Sequence, residues 1–219
     1  MIRFSSVSKM YDTNVFALKN ISMNINKGEF VFVTGSSGAG KSTLLKLLYG
    51  ELKPSSGNVS IHDKDVQFLS RNKLAFLRRQ MGIVFQDFKL LWDRTVLENV
   101  CLPLHIWGKN KEAVNKAEKL MMELDIWKYK DMLPRQLSGG EQQQVAICRA
   151  LVGEPWILIA DEPTGNLDPE SATGVFNIFN RASKMGSTVV FATHNQHLTQ
   201  LHKGRIVHLD KGKLAEVQK

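Results

Sequence analysis

Residues 35–43 have the types and the spacing of a phosphate-binding loop. Gly35 to Ser42 fits the pattern G-x-x-x-x-G-K-[ST]. Glycines let the backbone fold tightly around an anion, and the N–H groups of the loop and of a following helix supply positive partial charge. Lys41 can reach the β- and γ-phosphates of a nucleotide, and the Ser42 hydroxyl can bind a magnesium ion. The candidate phosphate-binding residues are Gly35, Ser36, Ser37, Gly38, Ala39, Gly40, Lys41, Ser42 and Thr43.

The sequence on either side places this loop between a strand and a helix. Phe30–Thr34 is a β-branched and aromatic run, which is typical of a short buried strand. Residues 44–48 begin a helix with an apolar stripe of leucines. The alternative, a glycine-rich turn before an ordinary helix, does not require this order of strand, loop and helix. The sequence therefore predicts a nucleotide-binding protein.

Two carboxylates follow another predicted strand. The apolar run Trp156–Ala160 ends in Asp161 and Glu162. A carboxylate at a strand tip beside a phosphate loop can hold magnesium directly or through water, which makes Asp161 the metal candidate. Strand alternation turns Glu162 to the other side, so it cannot share that task. We expect Glu162 to orient a water molecule or to accept its proton.

Three further residues are candidates because of where they fall along the chain. Gln86 follows the predicted strand Gly82–Phe85, and His194 lies at the tip of the strand Thr188–Thr193. A lone residue of either type is usually structural, but open α/β sheets collect ligands at the carboxyl ends of their strands. Tyr11, between two predicted strands, either stacks on an adenine ring or is an ordinary packed loop aromatic.

A second glycine pair occurs at the predicted start of another helix. The signature segment, Leu137–Gln142, reads Leu-Ser-Gly-Gly-Glu-Gln, and helix-forming residues follow it. Ser138 and the glycines after it form a second site at which an anion can bind. A simple helix N-cap would explain Ser138 and Gly139, but it gives no reason for Gly140.

The remaining pattern supplies the elements that must position these residues. Residues 2–34 predict antiparallel β structure, and residues 87–154 are helical, with an apolar stripe along Lys111–Leu124. The large apolar residues of 90–100 form either the core of that helical part or a groove for a partner's helix. Residues 205–217 predict a closing hairpin. The strands predicted in the first part are Ile2–Val7, Ile21–Ile25 and Phe30–Thr34.

The composition is that of an ordinary globular chain, with 43% hydrophobic and 23% charged residues among 219. No apolar run approaches the length of a membrane span, and Met1 leads directly into a strand-like segment, so we expect no signal peptide. Cys101 and Cys148 lack metal-binding spacing, and we expect reduced thiols in a cytosolic protein. The net charge of +8 comes from dispersed basic residues, which favours no nucleic-acid partner.

The motifs in this order resemble the ATP-binding subunit of an ABC transporter, over the whole chain. The resemblance rests on the phosphate-binding loop, Gln86, the signature segment, the acidic strand end, the turn Asn166–Asp168 and His194. It implies an α/β P-loop NTPase fold of the ABC ATPase type, with a mixed core sheet, an antiparallel β subdomain and an inserted helical subdomain. One domain would span 1–219, with a RecA-like core and β subdomain in 1–86 and 156–219 and the helical subdomain in 87–155.

The resemblance also implies the ligands: ATP as the nucleotide and Mg²⁺ as its metal. Tyr11 would stack on adenine, and residues 35–43 would wrap the phosphates. Ser42, Gln86 and Asp161 would organise the magnesium ion. The activity implied is that of an ATPase, which converts ATP and water to ADP and phosphate.

Catalysis in this family would rest on Glu162 as the catalytic carboxylate, with Gln86 beside it and His194 contacting the γ-phosphate. Other residues would act on the nucleotide of a second subunit. They are Ser138, Gly139, Gly140 and Glu141 in the signature segment, and Asp168 in the contact between the two subunits.

A physical argument also predicts a homodimer. One phosphate loop covers one side of a nucleotide, and the chain carries a second anion site that its own nucleotide cannot use. A two-fold, head-to-tail dimer places each signature segment over the partner's ATP and closes two sites by symmetry. ATP would hold the halves together, and loss of the γ-phosphate would let them part.

Longer segments resemble the cell-division branch of the family. They include Phe76–Asp87 and Leu90–Val96. In that branch the ATPase pairs with a membrane protein of the FtsX type at the division septum, where further division proteins assemble and cell-wall hydrolases act. We therefore expect a peripheral position on the cytoplasmic face of the inner membrane, held through that partner. The alternative is the ATPase of a lipoprotein-releasing or macrolide-export transporter.

Two positions depart from the family pattern: Gln144 stands where arginine is usual, and Asn195 where aspartate is common. A slower ATPase is one expected consequence. Two other classes are disfavoured. The interval between Lys41 and Ser138 is too short for the long coiled-coil insertion of a DNA-associated ABC ATPase, and a non-hydrolysing scaffold has no need of Glu162.

Overall fold

The computed structural model describes residues 1–11, 14–165, 167–201 and 204–218. The strands are β1 (Ile2–Met10), β2 (Phe16–Ile25), β3 (Phe30–Thr34), β4 (Ser56–Ile61), β5 (Lys64–Asp65), β6 (Met81–Val84), β7 (Ile157–Asp161), β8 (Thr188–Ala192), β9 (Arg205–Asp210) and β10 (Lys213–Gln218). The α-helices are α1 (Lys41–Leu48), α2 (Arg71–Arg79), α3 (Val96–Ile106), α4 (Asn110–Glu123), α5 (Gly139–Leu151), α6 (Pro169–Lys184) and α7 (Gln196–Leu201).

The strands pair into two sheets in the described part of the chain. The larger sheet has the order β10-β9-β3-β8-β7-β6, and the smaller has the order β2-β1-β4-β5. All neighbours in the larger sheet are parallel except β10, which pairs antiparallel with β9. The smaller sheet is antiparallel. This combination of a mixed α/β sheet with a separate antiparallel sheet confirms the expected fold class.

The prediction that Phe30–Thr34 belongs with the antiparallel strands was wrong. This strand, β3, lies in the larger sheet between β8 and β9, parallel to both. Val31, Phe32 and Val33 are all fully buried. A strand that is apolar on both faces is typical of the centre of a parallel sheet, where layers cover both sides.

Helix α1 packs between the two sheets. Its leucines, including Leu44 and Leu48, are buried in one apolar cluster with Phe4 and Leu18 of the antiparallel sheet and Val31 of the larger sheet. Burial of a leucine stabilises by roughly 1.5–3 kcal/mol, so this layer holds the start of α1 firmly against β3. The phosphate-binding loop, which joins β3 to α1, is thus anchored at both ends.

The helical part of the chain, residues 90–152, has an apolar cluster of its own. Leu90, Val96 and Val100 are buried in it, whereas Leu91 and Trp92 are 38% and 54% exposed. The first of the two interpretations of residues 90–100, a core, therefore holds for three of these residues. None of the helices described is long and apolar enough to cross a bilayer.

Candidate functional site

The phosphate-binding loop borders a surface cavity of about 690 Å³, the loop cavity. Thirteen residues from five separate stretches of the chain line it, so the fold brings together side chains that are distant in sequence. They are Tyr11, Ala17, Ser36, Ser37, Gly38, Gly40, Lys41, Ser42, Thr43, Gln86, Glu162, Gly165 and His194.

Two glycines of the loop are required by the surrounding backbone. Gly35 has φ of +147° and Gly40 has φ of +108°, both in the region that favours glycine. A Cβ atom on Gly35 would lie 2.4 Å from the carbonyl oxygen of Leu209, and one on Gly40 would lie 2.5 Å from that of Ala17. The loop is therefore pressed against β2 and β9 so closely that only glycine fits at these positions.

The start of α1 is open to an anion. Its N-cap residue, Gly40, offers no side-chain hydrogen bond to the first turn, and that turn carries no acidic residue. The first N–H groups of a helix have no partner within the helix and attract negative charge. Phosphate oxygens fit this position, because both the N–H groups and the dipole of α1 favour them.

The Lys41 ammonium group lies under the loop, with its side chain 7% exposed. Nζ donates to the carbonyl oxygens of Gly35 at 2.8 Å and Ser36 at 3.1 Å, and lies 3.2 Å from Oε1 of Glu162. The cation is thus aimed into the loop by the loop's own backbone. A phosphate bound there would compete with Glu162 for this ammonium group.

Glu162, directly after β7, contacts both Lys41 and His194. Its Oε2 lies 2.8 Å from Nδ1 of His194 and accepts the backbone N–H of His194 at 3.2 Å. The side chain of Glu162 is only 12% exposed, whereas that of His194 is 64% exposed. The carboxylate of Glu162 is therefore enclosed, whereas the ring of His194 is open to solvent.

The alternation argument applied to Glu162 was wrong in its geometry. Strand β7 ends at Asp161, and Glu162 has φ of +49°, a left-handed conformation that interrupts the alternation of side chains. Both carboxylates consequently face the loop: Glu162 contacts Lys41, and Asp161 interacts electrostatically with both of them. A non-glycine residue in this conformation is strained, which is common where a side chain must be aimed at a ligand.

Asp161 fits a magnesium ligand. Its Oδ1 is buried without a hydrogen-bond partner among the described residues. Burial raises the pKa of this carboxyl group, although a hydrogen bond from the Ser42 side chain and the charge of Lys41 lower it. A buried carboxylate oxygen beside a hydroxyl matches the oxygen ligands that magnesium prefers.

Tyr11 and Gln86 lie at the edges of the loop cavity. The Tyr11 ring is 44% exposed, and its hydroxyl oxygen lies 3.3 Å from Oγ1 of Thr43. Gln86 follows β6 and is exposed toward the same cavity. An exposed aromatic face and a neutral amide are thus both within the site, as expected from the sequence. Their roles stay predictions.

The signature segment lines a different cavity of about 670 Å³, the signature cavity. The two cavities have no lining residue in common. Ser138 caps α5: its Oγ accepts the N–H of Glu141 at 3.4 Å, and the Glu141 carboxylate accepts the N–H of Ser138 at 2.7 Å. Hydrogen bonds from Tyr129 and from Ser138 lower the pKa of Glu141. This capping box fixes the direction of α5.

The glycines of the signature segment meet little of their own chain. A Cβ atom on Gly139 would have no atom of the described residues within 4 Å, and one on Gly140 would lie 3.4 Å from Cδ2 of Leu167, an ordinary contact. Neither residue has positive φ. The fold of the single chain therefore gives no reason for glycine at either position, and the two residues leave the surface clear.

Asp168 lines the signature cavity together with Gly140. Its Oδ1 accepts the N–H groups of Glu170 and Ser171, both at 3.0 Å, and so caps α6. The pKa of Asp168 is lowered chiefly by a hydrogen bond from the Ser171 side chain. The backbone hydrogen bonds from Ser171 and Glu170 lower it further. Asn166, part of the predicted turn, lies outside the described residues.

Sequence reasoning missed several residues of these sites. Ala17 and Gly165 line the loop cavity. Gln144, noted in the sequence only as a departure from the family pattern, lines the signature cavity. Gly165 stands three positions after Glu162, a spacing that could have suggested a close approach. Ala17 carries no sequence signal, because its place in the site depends on the pairing of β2.

Comparison with known families identifies the class. The family model described as ABC transporter matches residues 18–165, which is more than half of the chain. This range contains the loop, Gln86, the signature segment and both carboxylates. The chain belongs to the ABC transporter ATP-binding family.

The most similar proteins reported below belong to one branch of this family, the cell division ATP-binding proteins. The chain is 44% identical to the cell division ATP-binding protein FtsE of Bacillus subtilis, over 97% of this chain and 93% of that protein. It is 42% identical to the FtsE of Escherichia coli, over 98% and 97%. Among solved structures it resembles a dimeric structure of MJ0796, a bacterial ABC transporter cassette, with a TM-score of 0.93, 36% identity, and coverage of 100% and 98%.

Proposed function

We propose that this chain is the ATP-hydrolysing subunit of an FtsEX-type complex in cell division. Similarity to FtsE proteins over nearly the full length carries the cell-division role. The homodimer is supported by a pair of separate cavities on one chain, one beside the phosphate-binding loop and one at the signature segment. Such a chain needs a second copy to enclose a nucleotide. The chain is an ATPase, and its family and dimeric structural relatives support ATP binding and a homodimer.

ATP binds in the loop cavity. Residues 35–43 and the start of α1 wrap the phosphates. The Lys41 ammonium group leaves the Glu162 carboxylate and contacts phosphate oxygens instead. Tyr11 presents its exposed ring to the adenine. Ser42, Gln86 and Asp161 hold Mg²⁺, which neutralises phosphate charge when bound. The unpartnered Oδ1 of Asp161 supports this set.

Glu162 and His194 carry out the chemistry. Once Lys41 turns to phosphate, Oε1 of Glu162 is free to orient a water molecule and accept its proton. His194, which contacts the other oxygen of Glu162, keeps the carboxylate in place and reaches the γ-phosphate through its exposed ring. Gln86 approaches the same region from β6.

The signature segment acts on the partner's nucleotide. Ser138, Gly139, Gly140 and Glu141 close over the ATP held in the other subunit's loop cavity, and Asp168 lies in the contact. The bare glycine surface supports this role, because phosphate oxygens can reach the N–H groups at the start of α5 without meeting a Cβ atom. ATP then joins the halves, and hydrolysis separates them.

The cell-division role rests on the FtsE relatives, which match nearly the full length of this chain. The partner is an integral membrane protein of the FtsX type, and other division proteins join the complex. The chain sits on the cytoplasmic face of the inner membrane and is held there by that partner. We also divide it into a core with its β subdomain, 1–86 and 156–219, and a helical subdomain, 87–155.

The test is a pull-down from native membranes with the Glu162→Gln variant and ATP, which should trap the closed dimer on its partner. Identification of an FtsX-type protein by mass spectrometry is the expected result, and Lys41→Ala, which cannot hold ATP, is the control. Recovery of a lipoprotein-release or exporter permease instead would contradict the cell-division role. Recovery of no membrane protein would contradict membrane attachment.

A further inference from the structure

The loop that follows Gln86 is tied to the signature helix by one side chain. Arg149, on α5, donates from Nη1 to the carbonyl oxygen of Lys89 at 2.7 Å and from Nη2 to that of Phe88 at 2.6 Å. Both are short contacts, and they join residues 60 and 61 positions apart. A planar guanidinium group is suited to two parallel bonds of this kind.

The two residues that accept these bonds are conformationally strained. Phe88 has φ of +60° and Lys89 has φ of +50°, and neither is glycine. A non-glycine residue in this left-handed conformation is strained and persists only where surrounding contacts hold it. The two bonds from Arg149 are such contacts, and they fix the direction in which the chain leaves Gln86.

Arg149 is half-buried on α5. Burial lowers the pKa of its guanidinium group to about 10. The guanidinium group donates both of these hydrogen bonds to neutral carbonyl oxygens. The same helix begins at Ser138, roughly 16 Å away along its axis. Helix α5 thus joins the signature segment to residues 86–91, the Gln86 loop.

We infer that Arg149 is a positioning residue, which holds Gln86 in its own ATP site through the carbonyl groups of Phe88 and Lys89 and ties that loop to the helix serving the partner's ATP. The inference rests on the proposed function. Arg149 itself touches no nucleotide.

A double-mutant cycle tests whether Arg149 acts through Gln86. We expect Arg149→Lys to lower kcat for Mg-ATP hydrolysis by about tenfold with KM changed less than about twofold, because misplacement affects the chemical step. In the Gln86→Ala background the same change should lower kcat by less than about twofold. An equal loss of kcat in both backgrounds would overturn the inference, as would no loss in either.

Arg78 provides a matched control. Its guanidinium group also donates to two carbonyl oxygens, those of Tyr49 at 2.9 Å and Gly50 at 3.0 Å, away from the Gln86 loop. Arg78→Lys loses the same kind of contact, and kcat should stay within about twofold of the unchanged chain. A tenfold loss in this variant as well would show that loss of any such link slows the enzyme, and would overturn the inference.

Hydrogen exchange gives a readout that does not depend on activity. Arg149→Lys should speed exchange in residues 86–91 by about fivefold or more and leave α1 unchanged, whereas Arg78→Lys should not affect residues 86–91. If the unchanged chain hydrolyses no ATP, the proposed function fails while this experiment still tests the link. If Arg149→Lys does not fold by thermal melting, Arg149→Gln replaces it. Unchanged exchange in residues 86–91 would overturn the inference.

Discussion

The phosphate-binding loop and the signature segment both place glycines at the start of a helix, but only the loop needs them for its own fold. A Cβ atom on Gly40 would lie 2.5 Å from a carbonyl oxygen, whereas one on Gly139 would meet nothing within 4 Å. Gly40 is left-handed and Gly139 is helical. Contacts within one chain thus explain glycine in the loop, whereas the described residues of one chain do not explain glycine in the signature segment.

The carboxylates beside the two regions differ in the same way. Asp161, behind the loop, is half-buried and has a raised pKa, and its buried Oδ1 has no hydrogen-bond partner among the described residues. Asp168, beside the signature segment, is satisfied by two N–H groups of its own helix and has a lowered pKa. The carboxylate of the loop region therefore has an oxygen without a hydrogen-bond partner in the described chain, whereas the carboxylate beside the signature segment caps a helix.

The largest effect is expected from Glu162, which belongs to the loop region. Glu162→Gln keeps the shape and one acceptor but cannot take a proton, so turnover should fall by at least about a hundredfold. ATP binding should persist, and the dimer should accumulate. Phosphate release and size-exclusion chromatography with ATP measure the two effects, with Glu112→Gln on α4 as the control. Unchanged turnover would contradict the role of Glu162.

The second expected effect is on stability and concerns Gly40. Gly40→Ala combines positive φ with a close contact, so it should lower the free energy of unfolding by about 3 kcal/mol. Gly28 has φ of +73°, and a Cβ atom there would meet nothing within 4 Å. Gly28→Ala therefore isolates the cost of the backbone, about 1 kcal/mol. Urea unfolding compares them. Equal losses would show that the close approach of β2 to the loop contributes nothing.

The third prediction concerns Gly139→Ala, in the signature segment. The substitution should raise the free energy of unfolding by up to about 1 kcal/mol, because alanine favours a helix and nothing is displaced. Gly174, a helical glycine of α6 that also meets nothing, calibrates this gain through Gly174→Ala. The ATPase rate of Gly139→Ala should nevertheless fall by about tenfold, since the Cβ atom enters the surface offered to the partner's phosphate. A stabilised and fully active variant would contradict the role in the partner's site.

The smallest effect is in the pH dependence of thermal melting. Since the pKa of Asp161 is raised on folding, its favourable contribution is present below the unfolded pKa and lost as pH rises through the folded pKa. Asp161→Asn should therefore melt like the unchanged chain in acid and higher at neutral pH, without Mg²⁺. The pKa of Asp168 is lowered, so its contribution is present above the unfolded pKa and lost as pH falls through the folded pKa. Asp168→Asn should melt lower at neutral pH, and the difference should vanish in acid.

Melting temperatures between about pH 3 and pH 8 measure both variants. The opposite signs are the informative result, because each variant serves as the control for the other. If both substitutions shifted the melting temperature in the same direction at neutral pH, the contrast between Asp161 and Asp168 would be wrong.

The sequence predicts the parts of the site that are local in the chain. The spacing of Gly35, Lys41 and Ser42 and the order of strand, loop and helix depend on adjacent residues, and these elements form as expected. The hairpin of β9 and β10 and helix α4 are also local, and they follow from turn residues and from an apolar stripe.

Features that depend on distant contacts could not be predicted. The sheet to which β3 belongs is decided by its pairing with β8 and β9, which lie far along the chain. Glu162 has a left-handed backbone conformation, which glutamate ordinarily avoids, so the residue type gives no indication of it. The bonds from Arg149 to Phe88 and Lys89 exist only once α5 packs beside the loop.

The central claim is that the loop of one chain and the signature segment of another form one site, and mixing two inactive variants tests it most directly. Lys41→Ala retains an intact signature segment, and Ser138→Arg, which obstructs the bare surface, retains an intact loop. Each homodimer has no complete site, whereas a mixed dimer has one, so an equal mixture should recover about a quarter of the unchanged ATPase rate. A mixture no more active than the two variants measured separately would contradict the account.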